Sequence, residues 1–416
     1  MGRYRNAPSR GNVIHAQDRF ENLAASLKGS LMSAFMRCGV EAFNEMLRKE
    51  AEALAGPKGK HNADRGAHHW GATPSEVILG GGKLKVMRPR IRATDNRELS
   101  LASFEHASSE DLLSDTMMEG ILCGLSTRSY GRFVEKVQER NVRAMSKSAV
   151  SRRLVKGTRK RMGEILGRSL AGFDLLVLMM DGVAIGDHTI VVALGIDRNG
   201  HKQVLGLREG STENAAVATA LLNDLVERDL KIEKCLAVID GGKGIRKAII
   251  DVMGKDTPIQ RCRLHKERNI LDHLPREKRS WVKLLIQKAW NAEGADTAKN
   301  TMLNLAKTLE NDYPGAAGSI REGLDDLFTI KKLGLKGPLA ACLSSTNIIE
   351  ALIGRGRVIT GKVKRWRSGG MAMRWMATAL VEAERGFRRI RGHREIPFLA
   401  NVLGRGERLA MAEKTA

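Results

Sequence analysis

The sequence predicts an α/β protein in which a sheet with parallel strands lies between helical regions. Two short apolar segments, 175–180 and 235–239, have the length and composition of buried strands. An Asn-Gly step at 199–200 between two β-prone segments predicts a hairpin. Helical periodicity follows the later strands, so residues 173–262 are predicted to run in the order β-β-β-α-β-α-β, with Ser211 capping the first helix and Asp181 ending the first strand.

The segment before this sheet is predicted to be helical at its start and extended later. Apolar residues at three- and four-residue steps predict one or two helices over 17–55. Residues 56–76 are rich in Gly, His and Asn and are interpreted as a loop, to which no function is assigned despite the histidines His61, His68 and His69. β-Prone residues on both sides of Gly80 to Gly82 predict a hairpin over 77–92.

Residues 126–170 return to helical periodicity, with a predicted turn near Asn141. The second helix is strongly basic, because 141–168 holds nine Lys or Arg and only one acidic residue. Such a helix suits recognition in the DNA major groove, although a solvated charged helix is an equally good interpretation of this segment alone. The residues expected to contact DNA here are Lys147, Arg152, Arg153 and Lys156.

The remaining chain is predicted to be mostly helical. Residues 263–343 have helical periodicity, with Trp281, Leu284, Leu285 and Ala289 on one stripe, and a new helix opens at 344–347. The end of the chain, 351–416, is a second basic zone with fifteen Lys or Arg and five acidic residues. The predicted domains are 1–110 (helices and hairpin), 111–170 (helix-turn-helix-like), 171–265 (first part of the core), 266–343 (helical insertion) and 344–416 (helix and basic region).

Charge and composition indicate the partner. With 70 Lys and Arg against 47 acidic residues, the net charge is +23, which favours a polyanion. The basic residues are spread over several segments, which favours nucleic acid over a membrane surface, and only 4 % aromatic residues favour duplex over single-stranded DNA. Five widely spaced cysteines suit reduced thiols. Together with the lack of a signal-like or spanning apolar segment, this predicts a soluble cytoplasmic protein without a membrane partner.

Three carboxylates are the candidate chemical groups. Asp181 and Asp240 each follow an apolar strand and precede a glycine, so both are expected at strand carboxyl ends, where they can bind Mg²⁺. Either one alone is more often a turn former, but the pair within a basic protein favours a metal site. Glu350 is the third candidate, unless it only forms a capping arrangement with Asn347.

The ordered set of motifs resembles the Mutator-superfamily DDE transposases of bacterial insertion sequences, over about 126–389. The motifs are Asp181-Gly182, Asp240-Gly241, Cys262-x-x-His265 and Thr346-Asn347-Ile348-Ile349-Glu350. The resemblance implies a ribonuclease H-like core interrupted by an all-helical insertion and preceded by a helical DNA-binding region with a helix-turn-helix. It also implies that Asp181, Asp240 and Glu350 are the catalytic ligands of Mg²⁺, for which Mn²⁺ substitutes.

The same resemblance gives Cys262 and His265 a supporting place at the active site. Packing near the site or contact with a DNA phosphate is favoured for His265 over zinc binding, because the sequence offers no second Cys or His pair at suitable spacing. The residues expected to hold the DNA backbone after Glu350 are Arg355, Arg357, Lys362, Lys364 and Arg365, with a solvated basic helix as the alternative. The segment 241–244 lacks the spacing of a phosphate-binding loop for nucleoside triphosphates.

The function implied is a DNA transposase. It is expected to bind the terminal inverted repeats of its element, to cleave DNA with a metal ion, and to join the exposed 3′-OH to target DNA as a homodimer or larger assembly. One alternative is a catalytically inactive, sequence-specific DNA-binding regulator with a nuclease-like fold. A tyrosine or serine recombinase is a further alternative, but Tyr4, Tyr130 and Tyr313 all lie outside the C-terminal basic zone.

Overall fold

A computed structural model describes residues 38–60, 66–79, 82–109, 147–210, 214–363 and 365–405. The chain divides into two compact units, Met1–Gly157 and Thr158–Ala416. The helices predicted within 17–37 and 126–141 lie outside the described residues. Among the described helices, none combines the length and the apolar composition needed to cross a membrane.

The first unit contains a three-stranded antiparallel sheet and two helices that pack on it. Its elements are α1 (38–55), β1 (Ala67–Leu79), β2 (Gly82–Ala93), β3 (Glu98–Leu99) and α2 (Ala102–Ser109), with the sheet in the order β1-β2-β3. Phe43, Leu47 and Ala51 recur every four residues along α1 and form one core with Val77 and Ile91 of the sheet. The predicted hairpin is confirmed, with Leu79 opposite Gly82.

The loop prediction for 56–76 is wrong in its second half. Residues from Ala67 onward form β1, where His68 pairs with Arg92 of β2. The strand contains an irregularity between His69 and Ala72 around Gly71, whose φ of +95° explains the glycine there. Local composition indicated a loop, but the hydrogen-bonding partner in β2 decides the conformation.

The second unit is a five-stranded mixed sheet with helices on both faces. Helix α3 (Lys147–Leu166) spans the division between the units, and the sheet strands are β4 (Leu175–Ile185), β5 (His188–Asp197), β6 (Lys202–Gly210), β7 (Leu236–Ile239) and β8 (Ile259–Arg261). The strand order is β6-β5-β4-β7-β8, antiparallel from β4 to β6 and parallel from β4 through β7 to β8. Together with α4 (Ala215–Glu227) and α5 (Lys243–Met253), this confirms the predicted element order.

Helices cover both faces of this sheet. Leu221 of α4 and Ile245 of α5 pack on one face with Leu178 of β4. On the other face, α12 (Asn347–Thr360), α13 (Gly369–Arg385) and α14 (Ile396–Val402) bury residues such as Leu352 and Met376 against Met179. The sheet is therefore buried on both sides, as the continuous apolar strands predicted.

A separate helical core lies between the sheet strands and α12 in sequence. Its elements are α6 (Arg263–Asp272), α7 (Arg276–Asn291), α8 (Ala295–Leu309), α9 (Pro314–Arg321) and a 3₁₀ turn (Asp325–Phe328). The next two helices, α10 (Thr329–Lys332) and α11 (Gly337–Leu343), instead bury Ile330, Leu339 and Leu343 in the core of the sheet. Val282, Ile286 and Ala289 are the buried face of α7, and Leu285 packs against the same core. The predicted stripe is therefore right for Leu285 and Ala289 and wrong for Trp281 and Leu284, which are exposed.

Two local predictions in the sheet region are corrected. Strand β4 does not end at Asp181 but continues to Ile185, because β5 supplies hydrogen-bonding partners over that length. Helix α4 is capped by Asn214, whose side chain accepts a hydrogen bond from the Val217 backbone N–H at 3.0 Å. Ser211, the predicted cap, lies outside the described residues.

Arg228 joins three elements of the second unit through buried carbonyl groups. Its guanidinium donates to Ile165 O at the end of α3 (2.8 Å) and to Leu205 O of β6 (2.7 Å). It also pairs with Asp224 on α4 at 2.8 Å, and the Arg228 side chain is only 11 % exposed. Removal of the guanidinium leaves a carboxylate and backbone acceptors without donors in a poorly hydrated place.

We expect Arg228→Met to lower the free energy of unfolding by about 3 kcal/mol, because a partly buried, multiply bonded ion pair loses one member. Arg208→Met on β6 is the matched control, since Arg208 is exposed. Denaturant unfolding of both variants measures the difference. Equal stability of the two variants would show that Arg228 does not tie these elements together.

Candidate active site

Three neighbouring strands deliver three polar residues at one level of the sheet. Met180 of β4 pairs with Ile239 of β7, and Ile239 pairs with Arg261 of β8. The next residue on each strand is therefore Asp181, Asp240 and Cys262, respectively. The Cys262 backbone N–H donates to Ile239 O at 2.8 Å, which holds the cysteine beside the β7 end. The parallel register thus brings the two aspartates side by side.

Both aspartates are oriented by backbone N–H groups of the following turn or strand. Asp181 Oδ1 accepts from Gly182 N at 2.9 Å, and Asp240 Oδ1 accepts from Gly242 N at 2.8 Å. Burial of Asp181 and the nearby charge of Asp240, with a smaller contribution from Glu350, raise the Asp181 pKa to about 6. The Gly182 N–H and His265 oppose this shift without cancelling it. The site therefore places negative charges around a buried aspartate, with Asp240 and Glu350 half-buried.

The third carboxylate comes from the start of α12. Glu350 Oε1 accepts a hydrogen bond of 2.5 Å from Thr346 Oγ1. Thr346 is fully buried, and its backbone N–H donates to Cys262 Sγ at 3.4 Å. The Glu350 carboxylate accepts this bond from Thr346, and α12 has no side-chain cap from Asn347. Thr346 is a site residue that the sequence motif contained but to which no role had been given.

Cys262 and His265 adjoin the same carboxylate. His265 Nδ1 lies 3.7 Å from Glu350 Oε1 and 3.3 Å from Thr346 Oγ1. A hydrogen bond with Cys262, aided by Glu350 and Asp240, raises the His265 pKa to about 9 despite burial. Burial opposes thiolate formation at Cys262, but hydrogen bonds with His265 and Thr346 outweigh it and lower the thiol pKa. An imidazolium at neutral pH therefore balances part of the carboxylate charge.

The donor atoms fit two kinds of metal ion. Asp181, Asp240 and Glu350 offer carboxylate oxygens, and the raised Asp181 pKa reflects burial first and repulsion by Asp240 second, both of which a divalent cation would offset. Cys262, His265 and Glu350 offer ligand atoms that all lie within 4.8 Å of one another, a mixed set that suits softer ions. Glu350 belongs to both sets. It is the third possible ligand beside Cys262 and His265, which the search of the sequence for a second Cys or His pair did not reveal.

The predicted DNA-binding residues are on exposed surfaces where their side chains are described. Arg152 and Lys156 are exposed on α3, whereas the side chains of Lys147 and Arg153 lie outside the described residues. After Glu350, the exposed basic residues are Arg355, Arg357, Lys362 and Arg365, and Lys364 lies outside the described residues. Arg357 follows Glu350 by seven residues, which places both on one helix face about 10 Å apart along the axis.

We expect Asp181→Asn to stabilise the metal-free fold near neutral pH. The folded pKa of about 6 exceeds the unfolded value of 3.8, so ionised Asp181 destabilises the fold increasingly between these values and fully above them. The gain in unfolding free energy is expected to be about 2 kcal/mol at about pH 7.5 and close to zero at about pH 4. Denaturant unfolding in EDTA measures it, with the exposed Asp251→Asn as control. A gain of equal size at both pH values would contradict the assigned cause.

Thr346→Val is expected to weaken divalent-metal binding about tenfold, because Glu350 loses a charge-assisted hydrogen bond that fixes its orientation. Thr346→Ser should restore the affinity. Thr360→Val on the same helix is the matched control, since the Thr360 hydroxyl donates to Gly356 O of its own helix. Calorimetric Mn²⁺ titration gives the three affinities, and unchanged binding by Thr346→Val would exclude this positioning role.

Comparison with known proteins identifies the family of this chain. A family model described as "Transposase, Mutator family" matches residues 15–389. The chain is 28 % identical over 317 residues to the transposase for insertion sequence element ISRM5 of Rhizobium meliloti, covering 74 % of this chain and 77 % of that protein. It is 26 % identical over 334 residues to the transposase of IS256 in transposon Tn4001 of Staphylococcus aureus, covering 74 % and 80 %.

A third relative is the transposase for insertion sequence element IS905 of Lactococcus lactis, 25 % identical over 330 residues, with 76 % of this chain and 81 % of the relative covered. These relatives are insertion-sequence transposases, and the family match spans both units of the chain. The chain belongs to the Mutator family of transposases.

Proposed function

We propose that this chain is a DDE transposase that cleaves DNA at the ends of its own element and transfers the 3′-OH to target DNA. Asp181, Asp240 and Glu350 are its catalytic carboxylates. The observation that carries the proposal is the convergence of these three groups from β4, β7 and α12, two of them on adjacent parallel strands. The shift in the Asp181 pKa depends on both other carboxylates, which supports their closeness.

The fold proposed for the second unit is a ribonuclease H-like core. Three antiparallel strands followed by two parallel strands, with helices on both faces, support this assignment. The separate helical core between β8 and α12 supports the helical insertion proposed for 266–343. The basic helix α3 is proposed as the second helix of a helix-turn-helix within 111–170, with 1–110 and 344–416 as the flanking domains.

Mg²⁺ is the proposed cofactor, with Mn²⁺ as a substitute, held by Asp181, Asp240 and Glu350. When bound, divalent ions activate the attacking oxygen and stabilise the leaving 3′ oxygen. The chain itself fixes the ligands: Gly182 and Gly242 N–H groups hold one oxygen of each aspartate, and Thr346 holds one oxygen of Glu350. The His265 imidazolium lowers the repulsion among the carboxylates and supports their ionised form.

Duplex DNA is the proposed partner, as terminal inverted repeats and as target. The net charge of +23 favours it, and exposed Arg355, Arg357, Lys362 and Arg365 follow the catalytic helix start closely enough to hold the DNA backbone near the carboxylates. Lys364 belongs to the same proposed contact segment. Because two element ends must be joined, a homodimer or larger assembly on DNA is proposed, in the bacterial cytoplasm.

Two alternatives predict different chemistry. An inactive DNA-binding regulator would need no ordered carboxylate cluster, whereas here Thr346 and backbone N–H groups orient each carboxylate. A tyrosine recombinase would need an accessible nucleophile, but Tyr313 packs against the helical core. Tyr4 and Tyr130 lie outside the described residues.

Asp240→Asn and Glu350→Gln are each expected to reduce cleavage to background while DNA binding is retained, because both remove a metal ligand and leave the basic surfaces intact. The substrate is a plasmid carrying the gene with its native flanks, incubated with Mg²⁺ or with EDTA, and nicks are mapped at nucleotide resolution. Asp251→Asn, an exposed carboxylate on α5, is the control expected to cleave normally.

Metal-dependent nicks at two inverted sites that disappear in both variants support the DDE assignment. Normal cleavage by Asp240→Asn contradicts it. Tight binding by the wild type without nicks under Mg²⁺ or Mn²⁺ favours the regulator, and a covalent protein–DNA adduct favours the recombinase.

A further inference from the structure

A basic pocket lies directly beside the candidate active site. It has a volume of about 350 Å³, and its lining includes Gly241, Lys243, Arg246, Arg261 and Glu322. Asp240 immediately precedes this lining, and its carboxylate accepts a hydrogen bond from Gly242 in the same turn. Any group bound in the pocket is therefore held next to the proposed site of DNA cleavage.

Cations outnumber carboxylates around this pocket. Glu322 alone receives three of them, with Arg261 Nη2 at 3.2 Å, Lys266 Nζ at 3.4 Å and Lys243 Nζ at 3.6 Å. Lys266 is fully buried and Arg261 is 7 % exposed, so two positive charges are removed from water against one half-exposed carboxylate. They also donate to backbone carbonyls, Lys266 Nζ to Ser319 O at 2.6 Å and Arg261 Nη1 to Glu322 O at 2.8 Å. These acceptors satisfy hydrogen bonds but carry no net charge, so a positive excess is left that a further anion would balance.

The surrounding ion pairs do not remove the excess. Arg246 pairs with Asp326 at 2.7 Å, Arg321 pairs with Glu310, and Asp325 is shared by Lys299 and Lys332. Among the described ion pairs at and next to the pocket, seven cationic side chains face four carboxylates. The pocket therefore keeps a net positive charge even though Asp325 and Asp326 also line it.

Backbone and side-chain donors are available in the pocket. Helix α5 begins at Lys243 with Gly242 as its cap, so no side chain caps its N–H groups and no acidic residue occupies its first turn. The Arg261 Nε is buried and finds no acceptor within the described part of the chain. It faces Gly241, whose φ is +110° and whose added Cβ would lie 2.1 Å from that nitrogen. Gly241 is thus required by both its conformation and its neighbour.

We propose that this pocket binds a backbone phosphate of the DNA strand next to the scissile phosphate, through Lys243, Arg246, Arg261 and the start of α5. The proposal rests on the proposed function, because it takes DNA cleavage at Asp240 as given. A DNA phosphate is favoured over a nucleotide because the segment 241–244 lacks the nucleoside-triphosphate loop spacing and the pocket adjoins the cleavage carboxylates. Its role is to fix the register of the strand relative to the carboxylates.

The test compares the double variant Lys243→Gln/Arg246→Gln with the double variant Lys247→Gln/Lys255→Gln. All four residues are exposed, and the second pair does not line the pocket. Binding of the full-length chain to a duplex carrying the element end is measured in EDTA over a range of salt concentrations. The pocket variant is expected to lose about one unit of the slope of log affinity against log salt, because one phosphate contact is lost. The control variant should lose less than half of that.

A phosphate scan then identifies the contact. Each phosphate near the cleavage position is replaced in turn by a neutral methylphosphonate. In the wild type, one replacement should weaken binding about tenfold, the loss of one charge-assisted contact, and the same replacement should have no further effect in the pocket variant. Equal sensitivity at that position in wild type and pocket variant would overturn the proposal and leave the cluster as a structural link to the helical insertion.

Two further comparisons complete the test. The first distinguishes DNA from a soluble anion as the ligand, and the second distinguishes failure of the pocket proposal from failure of the proposed function. Micromolar binding of ATP or inorganic phosphate that is lost in the pocket variant would assign the pocket to a soluble anion and contradict the DNA contact. If Asp240→Asn abolishes cleavage but the pocket variant behaves like its control, the pocket proposal alone fails. If Asp240→Asn cleaves normally, the proposed function fails first.

Discussion

The arrangement of the site depends on the parallel pairing of β4 with β7. Met180 opposite Ile239 fixes Asp181 and Asp240 as neighbours, and a shift of one residue would turn one of the two carboxylates to the other face of the sheet. The buried helices on both faces hold this register, because Leu178 and Met179 point into different cores. Burial of the apolar strand residues thus holds the carboxylates of Asp181 and Asp240 close together, although their like charges repel each other.

Several hydrogen bonds connect the helical insertion to the residues around the three carboxylates. Arg263 N bonds to Ser344 O, Thr346 N bonds to Cys262 Sγ, and Arg261 and Lys266 bond to Glu322. The insertion is therefore joined to the sheet at both of its ends, beside β8 and before α12. This explains how a separate helical core can interrupt the sheet domain without displacing the third carboxylate.

The local pattern predicted much of this fold. Continuous apolar strands, the Asn-Gly turn and the glycine-flanked hairpin are short-range signals, and each predicted the correct element. Features that depend on distant partners could not be predicted from the local sequence. The strand at 67–79 depends on pairing with β2, and the extension of β4 past Asp181 depends on pairing with β5. Half of the stripe predicted for α7 was wrong because Trp281 and Leu284 are apolar yet exposed. Asp181, Asp240 and Glu350 were predicted from two apolar strands and a helix start, although β4 continues past Asp181, and their catalytic role stays a prediction. The hydroxyl of Thr346 gave no signal of a site role, because a bond to Glu350 four residues later is ordinary at a helix start and its contact with His265 joins residues distant in sequence.

The order of the carboxylates along the chain has a consequence for synthesis. Both aspartates precede the insertion, whereas Glu350 follows it, and the insertion has a hydrophobic core of its own. A chain emerging from the ribosome can fold the insertion before α12 is available, whereas one face of the sheet stays uncovered until α12 to α14 follow. Until then only two of the three carboxylates are present. The proposed catalytic centre is thus completed last, and a translation product interrupted before α12 carries two of the three proposed catalytic carboxylates and lacks the third.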